Sequence, residues 1–187
     1  MRFRKYGLIP LALSVIFASR ARELSAQAQI ISLAAASLSN LSVLVTSGAV
    51  QNLPGVVDNA VNTFPSPVVI QTTWSVSPGQ TNTVDLVAYF SIPAQALVGG
   101  TTQIPSSRVE GQMATGIPTA FTAISQNAVG GVGTAGGSLH LFGVNISGGN
   151  KNASRIDNLD LRLNLVGFPT LPAGAYAGVL NLRAVTQ

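Results

Sequence analysis

Apolar side chains recur at every second position through much of the chain, the spacing of half-buried strands. In PVVIQTTWSV, from Pro67, the residues Val68, Ile70, Thr72, Trp74 and Val76 share one face, and Val69, Gln71, Thr73 and Ser75 share the other. In TVDLVAYFSI, Val84, Leu86, Ala88, Phe90 and Ile92 lie opposite Asp85, Val87, Tyr89 and Ser91. Ser77-Pro78-Gly79-Gln80 between the two runs is a turn signal, so together they predict a β-hairpin. Leu159, Leu161, Leu163 and Leu165 alternate with Asp160, Arg162 and Asn164. Leu171-Pro172-Ala173-Gly174 then turns the chain back, and Tyr176, Gly178, Leu180, Leu182 and Ala184 alternate to the C-terminus. Leu41, Val43 and Val45 predict a short strand ending at Ser47-Gly48. Residues 138–146 predict another, whose phase slips near Leu141-Phe142 as a bulge would make it. Residues 108–113 and 120–125 are weaker strands. Residues 48–66, with two Gly and two Pro, read as irregular, and residues 127–137, with five Gly, as a flexible hairpin loop.

Seven or eight short strands separated by turns predict an all-β chain, an antiparallel β-sandwich in which each strand buries one face and wets the other. Trp74, the only Trp, falls on an apolar face and reads as core. The N-terminus breaks the pattern. Arg2, Arg4 and Lys5 precede the apolar run from Gly7 to Ala18, and Ala26-Gln27-Ala28 follows. A basic start, a short apolar middle and an A-x-A site are the parts of a secretory signal peptide. Twelve apolar residues make about 18 Å of helix, short of the roughly 30 Å core of a bilayer. The expected organisation is a signal peptide over residues 1–28 and one β-sandwich domain over 29–187, with residues 29–40 as an N-terminal arm. A secreted mature form without a membrane span follows, in the periplasm, at the cell surface or outside the cell.

Cleavage there changes the charge. The whole chain has 187 residues, ten Lys+Arg and six Asp+Glu. After residue 28 only Arg108, Lys151, Arg155, Arg162 and Arg183 face Asp58, Asp85, Glu110, Asp157 and Asp160, a net of zero. No basic patch remains to displace counterions from phosphates, which argues against a nucleic-acid partner. A neutral surface also offers little repulsion between copies, which permits self-association.

The residues needed for most chemistry are sparse. The chain has no Cys and one His, His140, so thiolate metal sites and a catalytic Cys are excluded. No G-x-S-x-G elbow precedes a helix to support a serine triad. The Gly-rich stretch 127–137 lacks the Lys and the following helix of a phosphate loop. Five of the ten mature charges fall in residues 148–162, where Asp157, Asn158 and Asp160 suggest a calcium or sugar site. The oxygen alternation of a calcium loop fails there, because Leu159 and Leu161 belong to the core, and a solvated turn with local ion pairs fits better. Arg108 and Glu110 read as a surface pair. No cofactor or metal is expected. A hydrolase would need Asp85, Glu110 and His140 to converge.

The C-terminal residues LPAGAYAGVLNLRAVTQ (171–187) carry a P-A-G-x-Y turn and an alternating terminal strand. They resemble the end of secreted bacterial pilin-like and spore-coat-U-like domains. PGQTNTVDLVAYF and PSSRVEG resemble stretches of other secreted bacterial proteins and carry no activity over. The pilin-like resemblance implies an immunoglobulin-like sandwich whose subunits polymerise by donating an N-terminal strand to the next subunit. The chain departs from many pilins in having no cysteine pair. The arm 29–40 would be the donor, with Ile31, Leu33 and Leu38 filling the acceptor groove, unless it pairs within its own domain.

The function expected from these features is that of a secreted, non-enzymatic structural or adhesive surface protein, a pilus-like subunit that associates with itself or with other surface proteins. The alternative is a periplasmic or extracellular carbohydrate-binding module, with Asp85 and Tyr89 facing the ligand from the outer face of their strand.

Overall fold

The alternating runs pair into two sheets packed face to face. The computed structural model describes the backbone of residues 25–33 and all of residues 40–76 and 83–187. Its strands are β1 (Ser25–Leu33), β2 (Asn40–Ser47), β3 (Val50–Pro54), β4 (Val61–Thr63), β5 (Val68–Ser75), β6 (Thr83–Tyr89), β7 (Leu97–Gly99), β8 (Thr102–Ile104), β9 (Val109–Met113), β10 (Thr122–Ala123), β11 (Ser138–Asn145), β12 (Asn152–Asn164) and β13 (Ala175–Thr186). The first sheet runs β11-β6-β13-β1-β3, with β7 and β8 appended beside β13. The second runs β10-β9-β12-β5-β2, with β4 beside β12. All pairs are antiparallel except β1 with β13, which is parallel. The strands outnumber the seven or eight expected because β4, β7 and β8 are segments of three residues that leave almost no periodic trace, and because β1 and β3 fall in stretches not read as strands.

The core sits between the sheets and is built by the alternating sets. Leu41 and Val43 of β2, Ile70 and Trp74 of β5, and Leu159, Leu161 and Leu163 of β12 meet Val84, Leu86 and Ala88 of β6 and Leu180 and Leu182 of β13. Trp74 is buried as expected, and its Nε1–H donates to the Asn150 carbonyl at 2.8 Å. The phase slip in β11 is a bulge: the register against β6 shifts between His140 and Phe142, so the adjacent Leu141 and Phe142 both reach the core. The Tyr176 hydroxyl donates to the Pro172 carbonyl at 3.0 Å, four residues upstream, the corner arrangement of Greek-key sandwiches.

Four expectations change. β5 and β6 are not a hairpin. They lie in different sheets, and the turn proposed at 77–80 is outside the described residues. The turn at 171–174 likewise carries the chain from β12 across to β13 in the other sheet. Alternation identifies which residues are buried but not which strand lies beside them, and both crossings bury the same faces that hairpins would. Ile92 lies beyond the end of β6 and is exposed rather than core. Residues 48–66 are not wholly irregular, since they supply β3 against β1 and β4 against β12.

The fourth change concerns residues 127–137. They fold back over the outer face of the first sheet instead of forming a flexible loop. Val129 and Val132 exchange two main-chain hydrogen bonds of 2.8 Å. Phe90 N–H donates to Gly137 O at 2.9 Å, and Ser138 Oγ bonds both the N–H and the carbonyl of Thr134. Val132 and Val87 are buried beneath this cover, away from the main core. Gly133 sits at φ +102, and a Cβ there would come within 2.3 Å of Ser138 Oγ, so this close turn needs glycine.

Candidate functional site

The N-terminal strand occupies an unusual place. β1 lies between β13, to which it runs parallel, and β3, to which it runs antiparallel. β13 and β3 do not pair with each other, so β1 alone joins β3 to the rest of the sheet. Ile31 and Leu33 of the candidate donor set fall in β1, in register with Asn181 and Arg183 of β13. Leu38 and the proposed leader residues 1–24 are outside the described residues, while residues 25–28 form the first half of β1. Among the described residues no helix is long and apolar enough to cross a membrane.

The proposed ligand-facing pair is not an open platform. Asp85 points to the outer face, as its phase requires, but it is only 5% exposed. Its Oδ1 meets His140 Nε2 at 2.8 Å, and its Oδ2 accepts from Thr83 Oγ1 at 2.8 Å and from Gln187 Nε2 at 3.0 Å. Three partners thus engage the carboxylate, and its burial leaves little of it for a ligand. Tyr89 is partly exposed, and its carbonyl accepts from Asn181 Nδ2 at 3.3 Å. Of its partners, sequence reasoning named only His140 beside Asp85, and missed Thr83 and Gln187. One signal was present: Val87 shares the Asp85 face, and an apolar residue there indicates a covered face.

Two further ion pairs lie elsewhere among the described residues. Glu110 lies on β9 in the second sheet, where it holds the Arg162 guanidinium and accepts from Asn164 Nδ2 at 2.8 Å. Arg162 in turn covers the Phe121 ring at 4.2 Å. Glu110 therefore stands on the opposite sheet from Asp85 and His140, and the three do not converge. Arg108 does not pair with Glu110. It donates to the Val166 carbonyl at 2.8 Å and lies over Phe168.

The polar cluster at 148–162 divides between the faces of β12. Asp157 turns inward with Leu159 and Leu161, while Asn158 is exposed on the other side. Asp157 accepts from Arg155 and from Thr115 Oγ1 at 2.8 Å, and Arg155 caps the Phe142 ring at 4.2 Å. Asp157 is buried and Arg155 half-buried, in place of the solvated turn expected, because β12 begins earlier than the leucine repeat alone indicates. Among the described residues no three of His, Cys, Asp or Glu gather closely enough to hold a metal ion. A hollow of about 240 Å³ lies between Gly99–Thr102 and Pro172–Tyr176. Its aromatic wall is Tyr176, whose hydroxyl is already bonded within the corner.

Compared with known proteins, the chain matches no family model and no curated protein.

Proposed function

We propose that this protein is a secreted, non-enzymatic structural or adhesive surface subunit whose copies join in a pilus-like manner by exchanging residues 29–33 of β1, the part of that strand left after cleavage at residue 28. The observation that carries the reading is the place of that segment, which pairs in parallel with Val179 to Arg183 of β13 and meets β3 at Gln29 opposite Val50. Main-chain hydrogen bonds hold it there, and they are the same whether the segment comes from its own chain or from a neighbour. Exchange of an identical element therefore costs little beyond association itself. Reciprocal exchange closes a dimer, whereas head-to-tail exchange builds an open filament. The expected neutral charge after residue 28 removes long-range repulsion between copies.

The test is a cysteine pair in a chain that has no other Cys. Gln29 and Val50 are register partners on β1 and β3. Cross-strand neighbours of this kind are close enough for a disulfide. The Gln29→Cys/Val50→Cys protein, oxidised and run without reductant, is expected to give a ladder of covalent oligomers. Cross-linked monomer alone would place β1 in its own chain and overturn the proposal.

A further inference from the structure

Among the described residues, the three-residue β8 and β4 end side branches of the two sheets, and four strands end their main orders: β11 and β3 in the first, β10 and β2 in the second. Three of them are short or closed. The outer edge of β11 is covered, since Ile117 N–H donates to Leu141 O at 2.8 Å and His140 N–H donates to Gln126 Oε1 at 2.8 Å. The main chains of Gln126 and Ser138 also exchange two hydrogen bonds. β10 has two residues, and β3 has five and ends in Pro54, which has no N–H to offer. β2 differs. It has eight residues, NLSVLVTS, pairs with β5 on one side, and has no strand on the other side among the described residues. Natural edge strands are guarded by Lys, by Pro or by bulges. β2 contains neither Lys nor Pro, and its register shift comes only between Val45 and Ser47, leaving Asn40–Val45 regular.

The sheet face beside this edge is equally uncharged. Leu44, Gln71 and Ile156 form one cross-strand row, Ser42, Thr73 and Ser154 the next, and Asn40, Ser75 and Asn152 the third. Leu44 is 55% exposed at the edge itself.

We infer that β2 is an interface between two copies of this chain, whose β2 strands align antiparallel about a two-fold axis and join two second sheets into one. An unpaired row of N–H and C=O groups takes a strand as its natural partner. Antiparallel alignment about a two-fold makes one segment complementary to itself, each outward donor meeting an acceptor of the other copy. The partner strand comes from a second copy because nothing on the edge or the adjoining rows repels one, and because β11, the other edge strand of eight residues, is covered. Near the axis the two Leu44 side chains fall on one face within cross-strand reach and remove each other from water. This contact closes at two subunits, whereas head-to-tail β1 exchange is open-ended. It rests on the proposed function only in that copies of the chain associate.

The test is sedimentation of the full secreted protein over a concentration series, wild type against Ser42→Lys/Leu44→Lys. Both positions are exposed in the monomer, and Trp74 fluorescence reports whether the fold is retained. The dimer would bring four ammonium groups along one joint. The wild type is expected to show a concentration-dependent dimer, and the variant a dissociation constant weaker by about tenfold or more. A monomeric wild type, or a variant that dimerises as tightly, overturns the inference. Amide hydrogen exchange on the wild type gives a second reading that needs no variant. Protection of the β2 amides should rise with protein concentration, and constant protection overturns the inference. The two associations separate cleanly. A Gln29→Cys/Val50→Cys ladder that survives in the lysine variant belongs to β1, and a dimer that persists without any ladder belongs to β2.

Discussion

His140 and Asp85 meet at 2.8 Å on the outer face of the first sheet, from strands whose register places Gly143, not His140, opposite Asp85. The bulge in β11 sets this relationship together with the small Gly143, where a Cβ would stand 2.7 Å from Asp85 Oδ1. Asp85 is the shared acceptor for His140, Thr83 and Gln187, so it ties together β11, β6 and the C-terminus. Asp85→Ala is expected to lower stability by about 1–2 kcal/mol, because it removes the buried acceptor that three part-exposed or exposed donors share. Asp85→Asn, which keeps one acceptor oxygen, should lose less. Urea denaturation measures both, and equal losses for the two variants would contradict the shared-acceptor role.

Arg155 and Asp157 make an unequal pair. The Asp157 side chain is fully buried and that of Arg155 is about a quarter exposed, at 24%. Removing either partner leaves the other charge without compensation, and the cost scales with how buried the survivor is. Arg155→Ala strands the more buried charge and also uncovers the Phe142 ring, so it is expected to cost about 3 kcal/mol. Asp157→Ala leaves a guanidinium that can still reach water and the Thr115 carbonyl, and should cost less. Denaturant midpoints of the two single variants decide the order. The reverse order would mean that the ion pair is better solvated than its geometry indicates.

The buried faces were legible in the sequence because alternation reports burial directly: Val68, Ile70, Thr72 and Trp74 face inward as the period requires. The bulge in β11 was legible for the same reason, as a break in phase. Connectivity was not. A Pro-Gly turn between two alternating runs looks the same whether the chain reverses within a sheet or crosses to the other, and here β5 and β6 cross. The polar partners were hidden for a related reason. Glu110–Arg162 and Asp85–His140 span 52 and 55 residues, and such pairings depend on strand order, which periodicity does not encode. Residues 127–137 looked featureless because their cover is built from main-chain bonds and two valines, which leave no repeat to read.

Gly178 lies on β13 where β7 crosses close by. A Cβ there would stand 1.7 Å from the Ala96 carbonyl oxygen, a contact with backbone that no rotamer change relieves. Gly178→Ala must therefore push residues 96–99 away from β13 or fail to fold. A stability loss of about 3 kcal/mol is expected, at the upper end for overpacking because the obstacle is main chain. Gly100→Ala is the comparison, since nothing lies within 4 Å of its added Cβ, although its φ of +57 adds a smaller backbone strain. Thermal melts of the pair should show the larger drop for Gly178→Ala. Similar drops would indicate that the β7–β13 contact is loose.

Thr72 sits on the inner face of β5, fully buried between Val43 of β2 and Arg155 of β12 in register, and its hydroxyl has no hydrogen-bond partner. The residue fits the strand because it is β-branched, and its shape is that of valine. Its oxygen, however, has left water without gaining an acceptor or donor, which costs about 1–3 kcal/mol. Thr72→Val keeps the shape and removes that cost, so it is expected to stabilise the protein by about 1 kcal/mol, or about 2–4 °C in Tm for a chain of this size. Thr72→Ala loses the methyl as well as the hydroxyl and should destabilise through the cavity it leaves. Differential scanning calorimetry on the two variants gives opposite signs if the hydroxyl is unsatisfied. A Thr72→Val protein that melts lower than wild type would show that the hydroxyl makes a bond inside the sandwich, with the neighbouring Arg155 the first group to examine by a double-variant cycle.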